Sequence, residues 1–220
     1  MILNLSYPLN EKAFGYGNGD RLDLVKARDM CCGDTSNNTI INMPTHYGTH
    51  IDYPFHFSKK GKKSSDYEIE DFIFNKVRCI EIEEKEVQDY LIKNVNFKED
   101  GDLETELLLI KTGFCNKRAL DEYWEFGFGF HSETADYLKN KYPNLKAIAF
   151  DLISLNSYQN RTEGRVAHKA FLITNDVLII EEVDLRKITN QTKFKKVIVA
   201  PLQLENADGA PVTIIADVYE

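Results

Sequence analysis

Apolar residues along the chain fall mostly into short runs of strand length. Thr39 to Met43, Lys76 to Ile82, Leu107 to Thr112, Leu145 to Asp151, Val177 to Glu181, Val197 to Leu204 and Pro211 to Tyr219 are rich in β-branched residues and read as strands. Met1 to Leu5 opens in the same way, and Thr49 to Tyr53 reads as extended. Helical spacing occurs in few places. Glu84 to Val95 carries Val87, Tyr90, Leu91 and Val95 near a 3.6-residue period. Ser132 to Lys141 begins with a capping-type serine and sets Ala135 and Leu138 on one face. A short helix is expected around Arg165 to Leu172. Asp208-Gly209 between two apolar runs signals a hairpin. Many strands and few helices predict a β-rich α/β fold, not a doubly wound sheet.

No repeat, low-complexity stretch or linker divides the 220 residues, and 43% hydrophobic content can fill a proper core. A single domain over 1–220 is expected. The net charge of -8 argues against DNA or RNA as partner. The basic loop Lys59, Lys60, Lys62 and Lys63 reads as solvated, or as a device steering an anionic substrate. No apolar run approaches the ~18 residues of a membrane span, and no secretory leader is evident. Cys31, Cys32, Cys79 and Cys115 form no CxxC pair, so reduced thiols and a cytoplasmic setting are expected.

The candidate chemistry is concentrated in His46-Tyr47-Gly48-Thr49-His50-Ile51-Asp52-Tyr53-Pro54-Phe55-His56. Three of the chain's five histidines lie in this stretch around one carboxylate. Imidazole and carboxylate suit zinc, manganese or iron. Strand alternation points His50 and Asp52 to one face, with Ile51 and Tyr53 on the other. Gly48 lets the backbone bend so that His46 can join them. Pro54 ends the strand before His56. His56 is then either a further ligand or a general acid–base beside the metal, and we favour the second. A structural metal site is disfavoured because no cysteine lies nearby.

The same string resembles the HxGTHxDxPxH signature of the cyclase family, which includes bacterial kynurenine formamidases. Every fixed position of the signature is present from His46 to His56. Asn4-Leu5-Ser6, Leu109 to Gly113, Phe130 to Leu138, Ala149 to Ser154, Ala167-His168 through Ile180-Glu181, Ala200-Pro201-Leu202 and Asp208 to Val212 resemble further family segments, in order.

The resemblance implies a swivelling β/β/α fold, assembled as a homodimer or homotetramer. It implies one or two divalent ions, zinc first and manganese as the alternative. His46, His50 and Asp52 would hold one ion. His168 and Glu181 would complete a second position, with Asp52 or Glu181 bridging and His56 as the acid–base. The implied activity is metal-dependent hydrolysis of a small-molecule amide C–N bond, of the arylformamidase type. An isatin-type cyclic amide, or a non-hydrolytic lyase or binding role, is the alternative. His168 and Glu181 stand thirteen residues apart, one more than the family spacing, which leaves Glu182 as the other choice. Asn156 replaces a common aspartate and Thr213 a common arginine. Phe14-Gly15-Tyr16-Gly17 stands where a tryptophan segment is expected.

Three further readings stay open. His131 is an exposed helix-start residue or lines a pocket. Asp151 is a buried structural carboxylate or orients a ligand histidine. Trp124, with Tyr123, Phe126, Phe128 and Phe130, packs core or interface, or lines an aromatic site.

Overall fold

In the computed structural model, which describes residues 1–19 and 21–219, the apolar runs become strands. β1 is Ile2–Asn4, β2 Asp23–Arg28, β3 Asn38–Asn42 and β4 His50–Asp52. β5 is Ile73–Phe74, β6 Val77–Glu81, β7 Leu91–Ile92, β8 Leu107–Lys111 and β9 Gly129–Phe130. β10 is Ala147–Phe150, β11 Leu178–Glu181, β12 Phe194–Pro201 and β13 Gly209–Val218. The helices are α1 (Glu122–Glu125), α2 (Glu133–Lys141) and α3 (Arg161–Lys169), the last running on into a π-turn at Ala170–Thr174.

One mixed sheet has the order β5-β12-β13-β4-β11-β10-β8-β6, with β1 also on β13. The half from β11 to β6 is parallel, and the half from β5 to β4 is antiparallel. In the parallel half both faces are buried, which accounts for near-continuous apolar strands. Leu108, Ile110, Ile148, Phe150 and Ile179 pack beneath α2 and α3 with Leu138, Ala167 and Phe171. Leu107, Leu109, Ala147, Ala149 and Ile180 face the other way. There they join Val197, Val199 and Ala216 of the antiparallel half, so the sheet curls over its own second core.

Strand β4 sits where the two halves meet, antiparallel to both β11 and β13. Ile51, fully buried in the second core, anchors it. Burying a side chain of that size stabilises by about 1.5–3 kcal/mol. Its neighbours His50 and Asp52 are thereby turned to the helix-covered face.

Four local expectations need correction. Glu84 to Val95 is not a helix: it comprises a 3₁₀ turn (Glu84–Glu86), β7 and a second 3₁₀ turn (Asn94–Asn96). Asp89 and Tyr90 have φ of 55° and 59°, which a right-handed helix excludes. Ser132 sits at the start of α2, but its side chain makes no cap. The Thr134 hydroxyl bonds the His131 carbonyl instead, and Glu163 accepts from the Ser132 amide. The β12–β13 hairpin exists, yet its turn lies at Glu205-Asn206 and Gly209 already belongs to β13. Strand β2 was not anticipated. It pairs with β3 in a hairpin exposed on both faces. Among the described residues no helix is long and apolar enough to cross a membrane.

Candidate metal centre

Register builds the site. His50 lies opposite Glu181, and Asp52 opposite Ile179, across β4 and β11. Gly209 faces Asp52 from β13. Paired residues share a face, so His50, Asp52 and Glu181 converge. Gly48, at φ 66°, makes the bend that brings His46 alongside. Helix α3 delivers His168 from above.

The histidine tautomers are set by what each ring touches. His50 Nδ1 donates to the Gly48 carbonyl at 2.8 Å and His168 Nδ1 to the Gly164 carbonyl at 2.7 Å. A carbonyl can only accept, so each neutral ring presents a bare Nε2 lone pair. His50 Nε2 is buried without a hydrogen-bond partner. It lies 3.3 Å from Asp52 Oδ1 and 3.4 Å from Glu181 Oε2. His168 Nε2 lies 3.6 Å from Asp52 Oδ2 and 3.5 Å from Glu181 Oε1. Two lone pairs and two buried carboxylates facing one another repel unless a cation or a proton lies between them. The donor set therefore fits a divalent ion.

The charges agree with that geometry. Burial opposes charge on every one of these groups. Even so, His46 and His50 hold Asp52 well below the carboxylate range. Glu181 is lowered by His168 and His50, against burial and Asp52. The two carboxylates in turn raise His50 and His168 above the usual histidine range, despite burial. His46, pressed by burial but paired with Asp52 and Asp208, is raised to about 9.

The expected residues are brought together, with some regrouping. His50, Asp52 and Glu181 offer one close set of ligand atoms, and His46, Asp52 and His56 another. Asp52 belongs to both. Glu181 lies between His50 and His168, 3.4 Å from one Nε2 and 3.5 Å from the other, where a bridging carboxylate would stand. Its Oε1 is steadied by the Leu155 amide at 2.7 Å. Glu182, the other choice, has φ 59° and turns away to accept from Arg118 Nε at 2.7 Å. His56 is half-buried, its ring centroid 4.0 Å from that of His46. A cavity of about 210 Å³ opens onto the cluster, walled by Phe14, Tyr16, Ser154 and Asn156.

Other candidates lie outside the cluster. His131 faces Glu133 and Glu163 and does not line this cavity. Asp151 accepts from the Thr112 amide and hydroxyl and from the Gly113 amide, a structural use. Tyr123, Phe128 and Phe130 are core, while Trp124 and Phe126 stay partly exposed. Lys62 pairs with Asp176 and Lys63 with Asn206, tying loops together. Asp208, taken from sequence only as a turn signal, stands beside the cluster. Its Oδ2 is 3.1 Å from His46 Nε2 and 3.4 Å from His56 Nδ1.

A mixed α/β scaffold carrying buried histidine–carboxylate ligands defines a class of metal-site proteins, and comparison with known proteins narrows it. The family described as "Putative cyclase" matches residues 3–157, and the chain belongs to that family. A kynurenine formamidase of Bacillus cereus is 28% identical over 181 residues, covering 80% of this chain and 77% of that protein. One from Bacillus cytotoxicus is 26% identical over 223 residues, covering 97% and 95%. Among solved structures, a potential metal-dependent hydrolase with cyclase activity superposes with a TM-score of 0.74 at 23% identity, covering 100% of this chain and 98% of that one. An isatin hydrolase bound to thioisatinate gives 0.77 at 15% identity, covering 98% and 91%. These structural likenesses establish the shared fold.

Proposed function

We propose that this chain is a divalent-metal-dependent hydrolase of a small N-acyl arylamine, of the arylformamidase type. The observation that carries the reading is the buried His50 Nε2, without a hydrogen-bond partner and aimed at two ionised carboxylates. The kynurenine formamidase relatives supply the reaction class. Zinc is the first choice of ion and manganese the second.

A bound divalent ion supplies Lewis acidity and an acidified water. Asp52, Glu181, His50, His168 and His46 would hold it. His56 stands at the cavity wall, outside the His50–Glu181 set, where its imidazole can take a proton from water and return it to the departing nitrogen. Amide and water become amine and carboxylic acid, with no further reactant. Phe14 and Tyr16 offer apolar walls to an aryl group. At about 210 Å³ the cavity is smaller than the ~300 Å³ lower end of common ligand pockets, which favours a compact substrate.

Self-assembly into a homodimer or homotetramer fits the β2–β3 hairpin, which leaves Leu24, Val25, Ile40 and Ile41 exposed. Free thiols at all four cysteines fit a cytoplasmic setting.

The test is to load the purified protein with Zn²⁺ or Mn²⁺ and supply N-formylkynurenine, formanilide and isatin in parallel. Formate release from the formyl amides supports the reading. Turnover of isatin alone would reassign it to a cyclic amide. Inactivity on all three, with metal bound, would overturn it.

A further inference from the structure

We propose that Asp208 is a positioning residue for this site, its one carboxylate aiming both His46 and His56. Three donors converge on two oxygens. The Thr45 hydroxyl donates to Oδ1 at 3.0 Å, and Oδ2 receives His46 Nε2 at 3.1 Å and His56 Nδ1 at 3.4 Å. His46 is thereby held between two carboxylates, because its Nδ1 lies 2.7 Å from Asp52 Oδ1. Both ring nitrogens face carboxylates and donate to them; the Nε2 proton would stay directed at Asp208, and Nδ1 would be the nitrogen given up to an ion. For His56 the logic is the mirror image. Donation from Nδ1 to Asp208 leaves Nε2 bare, the form a proton acceptor needs.

The backbone supports the same purpose. Tyr53 N donates to the Asp208 carbonyl at 2.9 Å, fastening this loop to the segment that carries the cluster. The next residue is Gly209, where an added Cβ would stand 2.5 Å from His46 Cε1. Only a residue without a side chain lets the His46 ring lie flat against β13 and reach Asp208. An asparagine at 208 cannot reproduce the arrangement. It has one acceptor oxygen, so either Thr45 or the two imidazoles would meet an NH₂ group. Carboxylates that orient ligand imidazoles are worth about 10–100-fold in metal affinity or activity.

The inference rests on the metal-hydrolase reading for its kinetic arm alone. Asp208→Asn is to be compared with the parent by Zn²⁺ titration against a chelator. Histidine ¹⁵N NMR of the metal-free protein and steady-state kinetics at saturating Zn²⁺ complete the comparison. The expected results are Zn²⁺ affinity and kcat each lowered about 10–100-fold, KM little changed, and loss of the single Nδ1-protonated state of His56. Asp208→Glu should recover part of each.

Unchanged Zn²⁺ affinity together with an unchanged His56 tautomer would overturn the proposal. So would a lowered thermal midpoint with both left intact, since that marks a structural role only. If Asp208→Asn fails to fold, Thr45→Val carries the test. It frees the carboxylate from its anchor, and a smaller shift of both readouts in the same direction is expected. No shift in either readout there counts against the proposal. Should the parent hydrolyse no amide at all, the affinity and NMR arms still decide the role of Asp208.

Discussion

Glu181 and His50 face each other across paired strands, Oε2 to Nε2 at 3.4 Å. The neighbouring Glu182 is equally buried but bonded to Arg118. Two adjacent glutamates therefore have opposite environments. His168 and His50 lower Glu181 against burial, whereas burial raises Glu182 despite Arg118. Glu181→Gln is expected to weaken Zn²⁺ binding by more than the ~100-fold upper value for an outer partner. Glu182→Gln should stay metal-loaded. Elemental analysis of both variants after gel filtration checks this, and the reverse pattern would exchange their roles.

His56 contributes to a close donor set with His46 and Asp52 but stands at the cavity wall. His56→Ala is expected to keep its metal and to lose about 10²–10⁴-fold in kcat, the value of a general acid–base. Asp52→Ala should empty the site, because Asp52 is common to both donor sets. Metal content and turnover measured on the same samples separate the two effects. Stoichiometric metal loss from His56→Ala would place that imidazole among the ligands.

The cluster was legible because strand alternation, a glycine bend and a proline stop act over eleven residues, where local rules hold. The strands of the parallel half were legible because both their faces are buried, so apolar runs are continuous. Glu84 to Val95 misled for a physical reason. Its apolar spacing serves an extended segment in which Leu91 and Ile92 pair with Gly129 and Phe130, and Val95 is 79% exposed. Asp208 was hidden because its approach to His46 comes from the β4–β13 register, and nothing near residue 46 signals that pairing. The Glu181 and Glu182 alternatives differ by a single left-handed residue, which the sequence does not mark.

Acidity offers a separate check. An unfolded histidine titrates near ~6.5, while folded His46 is raised to about 9 by Asp52 and Asp208 despite burial. A raised histidine contributes stability that is complete below the unfolded value and is lost as pH climbs through the folded one. The metal-free protein should therefore lose thermal stability between pH ~6.5 and about 9. Metal competes with the proton for the same imidazoles. The rise in thermal midpoint on adding Mn²⁺ should grow across that window, and calorimetry in buffers of different ionisation enthalpy should detect proton release. A metal-free midpoint that rises with pH there would contradict the assignment of His46.

Gly209→Ala tests the packing behind the centre. The added methyl would stand 2.5 Å from His46 Cε1, so either the strand or the ring must move. The strand is held at this point by Asp52 of β4 and, three and four residues on, by Pro201 and Ala200 of β12. The ring therefore yields. Overpacking of this kind costs about 1–3 kcal/mol, and that loss should appear in the metal-free protein. With Zn²⁺ present the loss should be larger, because the bound state also requires His46 in place. Thermal denaturation of parent and variant, with and without Zn²⁺, gives the four numbers needed. Equal losses in the two states would mean that the His46 ring can leave without disturbing the ion, and that it is not a ligand.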